Sequence, residues 1–286
     1  MINKEKKMSV ERNIDILYSL IVHESPECVL DMISNIYLAN KKQKVYVIIH
    51  CNREMYILLT HMTKNNPSLL EHFRINPQFF DKKLYQKDLM NAHYQNFQYM
   101  KKSGYIFDYF CLLASNCLFI KSFDINEIRE NILDENEYTQ SSENGLRNWD
   151  FERKTFMNKN LIEFFLHHKM KIIHEAHEGA IYKRNVFDKI IHYTRRFELM
   201  KKIRTRIPVE ELLLPVLENY ICNGLNPRIC KVYWDRKNFT PTIEDINMKE
   251  NYMVKRIDRK LNDRLRVYIR NEWIKEMRIS KNENQE

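Results

Sequence analysis

Residues 167–179 read HHKMKIIHEAHEG, a run of imidazoles and carboxylates with the donor types of a metal site. A hydrolytic zinc helix requires His-Glu-x-x-His, which puts two imidazoles four apart on one helix face. His174-Glu175-Ala176-His177 does not have that spacing, and no Cys-x-x-Cys pair stands elsewhere to complete a zinc site. The run therefore leads to an expectation of no bound metal. Glycine-loop phosphate chemistry is nearly excluded, because the whole chain has four glycines and such loops need several close together. A nucleotide diphosphate would have to be held largely by side chains. The turn Ser115-Asn116-Cys117 has no carboxylate, which makes it a poor seat for Mg or Mn. A net charge of +9 attracts anions of several kinds, among them nucleic acid, anionic lipid and a nucleotide-sugar diphosphate, without choosing between them.

The chain has 286 residues, room for one large α/β domain or two small ones. Hydrophobic residues at 44% and charged residues at 30% give a globular balance and argue against wholesale disorder. There is no apolar run of membrane-spanning length, and the opening MINKEKKMSVERN lacks the apolar core of a secretory signal. The six cysteines, at 28, 51, 111, 117, 222 and 230, read as reduced, buried thiols. These features together point to a cytoplasmic protein.

The elements that would position a site follow from the apolar pattern. Residues 13–22, 44–51 and 107–115 are continuous apolar runs that read as buried strands. Helical patterns lie between and after them: one begins at Pro26, and others cover 84–101, 152–168, 184–197 and 208–221. Residues 134–150 read as a loop, 229–234 as a strand, and 258–280 as a basic helix with an apolar face. The alternation predicts an α/β fold with a mainly parallel central sheet covered by helices on both faces. Ligands of such sheets bind beyond the carboxyl ends of the strands, here His23-Glu24, His50-Cys51-Asn52 and Ser115-Asn116-Cys117.

Four blocks in order resemble the core-2/I-branching β-1,6-N-acetylglucosaminyltransferase family, as a bacterial-type relative. They are LYSLIVHESPECVLDMISNIY with YVIIHCN; NAHYQNFQYMKKSGYIFDYFCLLASNCLFIKSFD; HEGAIYKRNVFDKII with PVEELLLPVL; and VYWDRKNFTPTIEDINMKENYMVKRID. They span roughly residues 13–258. The chain departs from the family at His50-Cys51-Asn52, where an amide replaces the usual carboxylate, and at Cys117, where an Asp is common. It is also shorter between Glu210 and Arg236 and lacks the family's N-terminal anchor.

The resemblance implies a glycosyltransferase A-type fold and an inverting, metal-independent transfer of GlcNAc or a similar sugar from a UDP-sugar to a glycan or lipid-linked glycan. It also implies the boundaries: a transferase domain at 1–257, with a nucleotide-binding half at 12–125 and an acceptor half at 150–257, then a basic helix and tail at 258–286. Inversion needs a general base at the acceptor hydroxyl. Glu210 of Pro208-Val209-Glu210 matches the family's catalytic Glu, with Glu211 next if the register slips by one. Acids in the first turn of a helix also simply complement its dipole. Arg236 and Arg256 match two basic residues that clamp the diphosphate, and Lys255 could substitute; Arg supplies a permanent, bidentate charge. Val22, His23 and Asn52 are the nucleoside candidates, Ser115 and Asn116 form the donor turn or only a strand end, and Glu178 either bonds acceptor hydroxyls or is an exposed surface carboxylate. No cofactor beyond the donor is implied. The basic C-terminal helix either packs on the domain or docks peripherally on an anionic inner membrane leaflet. The rival class is a basic nucleic-acid binder, but no RNP, KH, zinc-finger or helix-turn-helix signature accompanies the charge, so no nucleic acid is expected.

Overall fold

A computed structural model describes residues 14–79, 86–135, 159–202 and 210–283. Outside them fall most of the expected 134–150 loop, the first part of the expected 152–168 helix, and Pro208-Val209.

The fold is mixed α/β. Strands β1 (Asp15–Val22), β2 (Lys44–Cys51), β3 (Arg74–Ile75), β4 (Tyr109–Ala114) and β6 (Ile181–Lys183) form a sheet of order β3-β2-β1-β4-β6. The first four are parallel and β6 is antiparallel to β4. A smaller sheet follows the order β5-β8-β7, from β5 (Cys117–Phe119), β8 (Met253–Lys255) and β7 (Cys230–Lys231).

Period-two alternation sorts the strand side chains into two cores. Ile16, Tyr18, Leu20 and Val22 of β1 join one core with α1 (Pro26–Ala39), α2 (Arg53–Asn65) and α9 (Arg264–Glu283). Leu17, Phe110 and Leu112 join the other with α3 (Gln86–Lys102), α4 (Lys159–His167), α5 (Arg184–Arg196) and α7 (Glu210–Cys222). Both sheet faces are therefore covered, which is why β1, β2 and β4 carry unbroken apolar runs. Pro26 does open α1, with the Ser25 hydroxyl capping the Cys28 amide. The remaining α-helices among the described residues are α6 (Leu199–Lys202) and α8 (Ile243–Met248).

Two expected elements differ in extent. The strand expected over 229–234 is two residues long, because the backbone turns as Trp234 N donates to Val232 O and leaves the ladder. The helix expected from 258 starts at Arg264, where Asp263 Oδ1 caps the amides of Leu265 and Arg266 at 3.0 Å each. The apolar face of α9 is packed on the domain: Ile269 and Trp273 are buried, and Trp273 Nε1 donates to Phe119 O at 3.1 Å. Arg266, fully buried, pairs with Asp31 of α1 at 2.7 Å. No helix among the described residues is long and apolar enough to cross a membrane.

Candidate functional site

Strand register gathers the site. Cys117 pairs with Lys255, so the start of β5 lies against the end of β8, directly beyond the carboxyl end of β4. The amide of Ile257 donates to Asn116 O at 3.2 Å and fixes the turn. Ser115 Oγ donates to Glu24 Oε1 beyond β1, and Arg259 Nε bonds the same oxygen. The other oxygen of Glu24 accepts the His23 amide at 3.0 Å. A buried carboxylate thus joins the ends of β1 and β4 to the chain leading into α9.

The second half of the site is the segment 174–179. Gly179 N donates to Leu112 O at 2.7 Å and Leu112 N to Ala180 O at 3.1 Å, which lays the segment along β4. Gly179 has φ +73, and a Cβ there would lie 2.5 Å from the Cys230 amide nitrogen, so this position needs glycine. Pro215 contributes from inside α7. It has no N–H for the carbonyl of Glu211 four residues earlier. That carbonyl instead accepts the Glu175 amide at 3.0 Å, so a break in the helix ladder docks the segment onto the first turn of α7. Arg228 locks the same contact. It forks onto buried Glu218 of α7, at 2.8 and 3.1 Å, and donates to Ala176 O at 3.1 Å.

His177, Glu178, Lys255 and Glu210 are thereby buried together, Glu210 at 1% exposure. Lys255 Nζ bonds Glu178 Oε1, and His177 Nε2 lies 3.6 Å from that oxygen. Glu211 reaches His174 Nε2 at 3.1 Å. Burial alone would raise the Glu178 carboxyl, but His177 and Lys255 outweigh it and hold Glu178 below the usual range. Burial lowers the His177 imidazole. Glu210 is pushed from 4.5 to about 8, chiefly by burial and further by the Glu211 and Glu178 carboxylates, against a backbone hydrogen bond and the weaker pull of Lys255. Among the described residues, Glu210 Oε2 and Glu178 Oε2 accept no hydrogen bond. A carboxyl titrating near neutral pH beside a fixed ammonium is suited to proton transfer. His177, Glu178 and Glu211 also offer ligand atoms within 4.8 Å of one another, a spacing that could hold a divalent ion.

The structure brings Ser115, Asn116, Glu178, Lys255, Glu210 and Glu211 to this one edge. Val22 and Asn52 end the adjacent β1 and β2; Val22 is fully buried, and Asn52 Oδ1 caps α2 by accepting the Met55 amide at 2.8 Å. His23 is exposed beside Glu24, and burial of part of the ring lowers its pKa. Arg256 is exposed next to Lys255, its guanidinium 5.7 Å from the Phe239 ring centroid. Arg236 is forked onto Asp245, which also closes the capping box of α8 with Thr242.

Sequence reasoning missed the positioning groups. Arg259 reads as one more charge in a basic tail, and its partner Glu24 is 235 residues away. His93 and Asn96 of α3 also escaped notice. Asn76, Asn96, Ser19 and His93 form a buried hydrogen-bonded chain with links of 2.8–2.9 Å, ending 5.8 Å from the His177 ring. The interruption of the apolar β1 run by Ser19 was its one visible sign. A separate cavity of about 430 Å³ between α3 and α5, lined by Tyr94, Gln98 and Arg195, contains none of the site carboxylates.

No known family profile matches the chain, and no curated protein matches it. Among solved structures it is similar to the apo form of the glycosyltransferase GlyE of Streptococcus pneumoniae TIGR4, at 12% identity and a TM-score of 0.40, covering 93% of this chain and 64% of that one. It is also similar to S. aureus TarS, at 8% identity and a TM-score of 0.31, covering 62% of this chain and 30% of that one. The chain thus spans less than two thirds of the length of either protein.

Proposed function

We propose that this protein is an inverting glycosyltransferase of the A-type fold, related to the branching transferases its sequence blocks resemble. It moves GlcNAc or a similar sugar from a UDP-sugar to a glycan hydroxyl. The observation that carries the reading is Glu210, buried at the carboxyl edge of the sheet, with one oxygen that accepts no hydrogen bond among the described residues and a pKa of about 8. In this reading Glu210 in its ionised form takes the proton of the acceptor hydroxyl. The acceptor oxygen then bonds to the anomeric carbon from the face opposite UDP, and the bond from that carbon to the diphosphate oxygen breaks, with its electron pair leaving on UDP. Positive charge at the edge offsets the developing negative charge, with exposed Arg256 as the first candidate and Lys255, already paired with Glu178, behind it. Arg236, occupied by Asp245, serves only if that pair opens. Glu178, fixed by Lys255, is the acceptor-hydroxyl ligand, and Val22, His23 and Asn52 border the nucleoside. A lipid-linked acceptor and work at the inner membrane face belong to the same proposal; a nucleic acid does not.

The test is a thermal-shift screen of UDP-, CMP- and GDP-sugars against RNA oligonucleotides, followed by UDP release from the stabilising donor. Selective stabilisation by a UDP-sugar supports the proposal; stabilisation by RNA alone overturns it. The His177–Glu178–Glu211 spacing favours a second reading, in which a divalent ion supplies the positive charge. Transfer that survives EDTA supports the metal-free reaction; loss in EDTA with recovery in Mn selects the metal reading.

A further inference from the structure

The cavity between α3 and α5 has a chemistry of its own. Its α3 wall carries Asn91, Gln95, Gln98 and Lys102, which recur at the spacing of one helix face, and Arg195 of α5 stands opposite. A carboxamide donates and accepts at once, as a pair of sugar hydroxyls does. Thr194 Oγ1 donates to Ile190 O at 2.9 Å, so the Tyr94 hydroxyl donates to Thr194 at 2.8 Å and keeps its lone pairs for an incoming donor. Neighbouring Lys101 and Lys201 are paired with Asp188 and Glu198, but Lys102 and Arg195 meet no carboxylate among the described residues. The volume of about 430 Å³ suits a small molecule. Carboxamides for hydroxyls and two uncommitted cations for an anion describe a phosphorylated sugar, whose phosphate has oxygens enough for several donors.

The floor of the cavity is Asn76, 1% exposed. Its Oδ1 accepts the Gln78 amide at 3.0 Å, which fixes the carboxamide and leaves Nδ2 to donate to Asn96 Oδ1 at 2.9 Å. Asn96 Nδ2 donates to Ser19 Oγ at 2.9 Å, so the one Ser19 proton goes to His93 Nδ1 at 2.8 Å. Burial, with His177 and His50, lowers the His93 imidazole well below its ordinary value, so the ring is neutral with its proton on Nε2. That nitrogen has no partner among the described residues, nor has His177 Nδ1 on the ring 5.8 Å away. Every member of the chain can donate and accept, so a second arrangement exists with all links reversed and the His93 proton on Nδ1. Longer contacts of 3.5 Å from Asn96 Nδ2 to the Leu20 and Ile48 carbonyls favour the present one. Reversal also turns Asn76 Nδ2 towards the Gln78 amide, and two donors then face one point. Only an acceptor entering from the cavity satisfies both.

We propose that this cavity is a regulatory site for a phosphorylated sugar, whose phosphate accepts the Gln78 amide and a turned Asn76 carboxamide and so reverses the chain to His93. The His93 ring stays neutral: Nε2 gives its proton to water and Nδ1 takes one from water. His177, which lies against His93 and 3.6 Å from Glu178 Oε1, passes the change to the carboxylate site. The ligand acts by favouring one of two arrangements the fold already allows. The proposal does not depend on the transfer reading.

Long-range proton–nitrogen NMR tests it, because the two neutral imidazole tautomers differ in nitrogen shift; His93→Gln assigns the His93 signals by their loss. The full chain is titrated with glucose 1-phosphate and glucose 6-phosphate, and separately with glucose and with inorganic phosphate. At least one hexose phosphate should bind about tenfold more tightly in calorimetry than glucose or phosphate alone, resist displacement by UDP, and move the His93 proton from Nε2 to Nδ1. Arg195→Gln and Gln98→Leu, both on the cavity wall away from the carboxylates, should each weaken that binding about tenfold with the melting temperature unchanged. Failure of both hexose phosphates to bind, binding that both variants leave intact, displacement by UDP, or binding with the His93 tautomer unmoved would each overturn the proposal. Inorganic phosphate binding as tightly as the hexose phosphates would overturn the sugar assignment.

Discussion

Glu210→Gln separates the consequences of burying an ionisable group from those of using it. In the unfolded chain this carboxyl ionises at its ordinary 4.5; in the folded protein it holds its proton to about 8. Below 4.5 both states are protonated and the site costs nothing. As pH rises from 4.5 to about 8 the unfolded state has lost the proton and the folded state has not, so stability falls by about 1.4 kcal/mol per pH unit. Over that window the loss sums to about 5 kcal/mol, an order-of-magnitude figure, and above about 8 it levels off. Gln does not titrate. It removes the slope while adding a fixed cost of about 1–3 kcal/mol if its amide finds no partner. Urea unfolding of both proteins across this window should therefore give stability curves that converge or cross as pH rises, since every other titrating group is shared. Parallel curves would refute the buried, protonated Glu210. The same substitution should lower transfer about 10²–10⁴-fold with UDP affinity near wild type, and wild-type turnover should climb as pH rises towards 8. Glu211→Gln is the control for register, because its carboxylate is engaged with His174 instead.

Arg256→Ala should weaken UDP-sugar use by about 1.5–3 kcal/mol in kcat/KM, the loss expected of one charge-assisted phosphate contact, with unchanged kinetics leaving Arg256 as ordinary surface. Arg236→Ala should lower the melting temperature more than it lowers UDP affinity, because its fork on Asp245 anchors α8; a pure affinity loss would restore it to the diphosphate site. Pro215→Ala supplies the N–H that closes the α7 ladder onto Glu211 O and competes with the Glu175 amide. Amide exchange at Glu175 should accelerate and transfer should fall even though the helix itself is strengthened; an unchanged exchange rate would show that the segment is held elsewhere.

The sequence made the sheet legible because β1, β2 and β4 lie between two helix layers, and burial on both faces writes itself as unbroken apolar runs. Glu210 and Lys255 were accessible through local motifs and do meet at one edge. The partners that hold them there were not accessible. Arg259 with Glu24 and Lys255 with Glu178 are contacts across 235 and 77 residues, and no local period encodes them. The role of Pro215 is invisible for a related reason: a proline in an apolar helical run reads as a kink, and only the fold reveals which amide takes the freed carbonyl. Arg236 shows the converse, a well-placed charge in sequence whose capacity is spent on a neighbouring carboxylate nine residues on.

The most direct test of the central claim is the structure of the full chain with UDP bound. The account predicts uracil against the ends of β1 and β2, near Val22, His23 and Asn52, and the diphosphate directed past Ser115-Asn116 towards Lys255 and Arg256, within reach of Glu210. A nucleotide seated in the cavity between α3 and α5, or anywhere away from the carboxyl edge of the sheet, would contradict it.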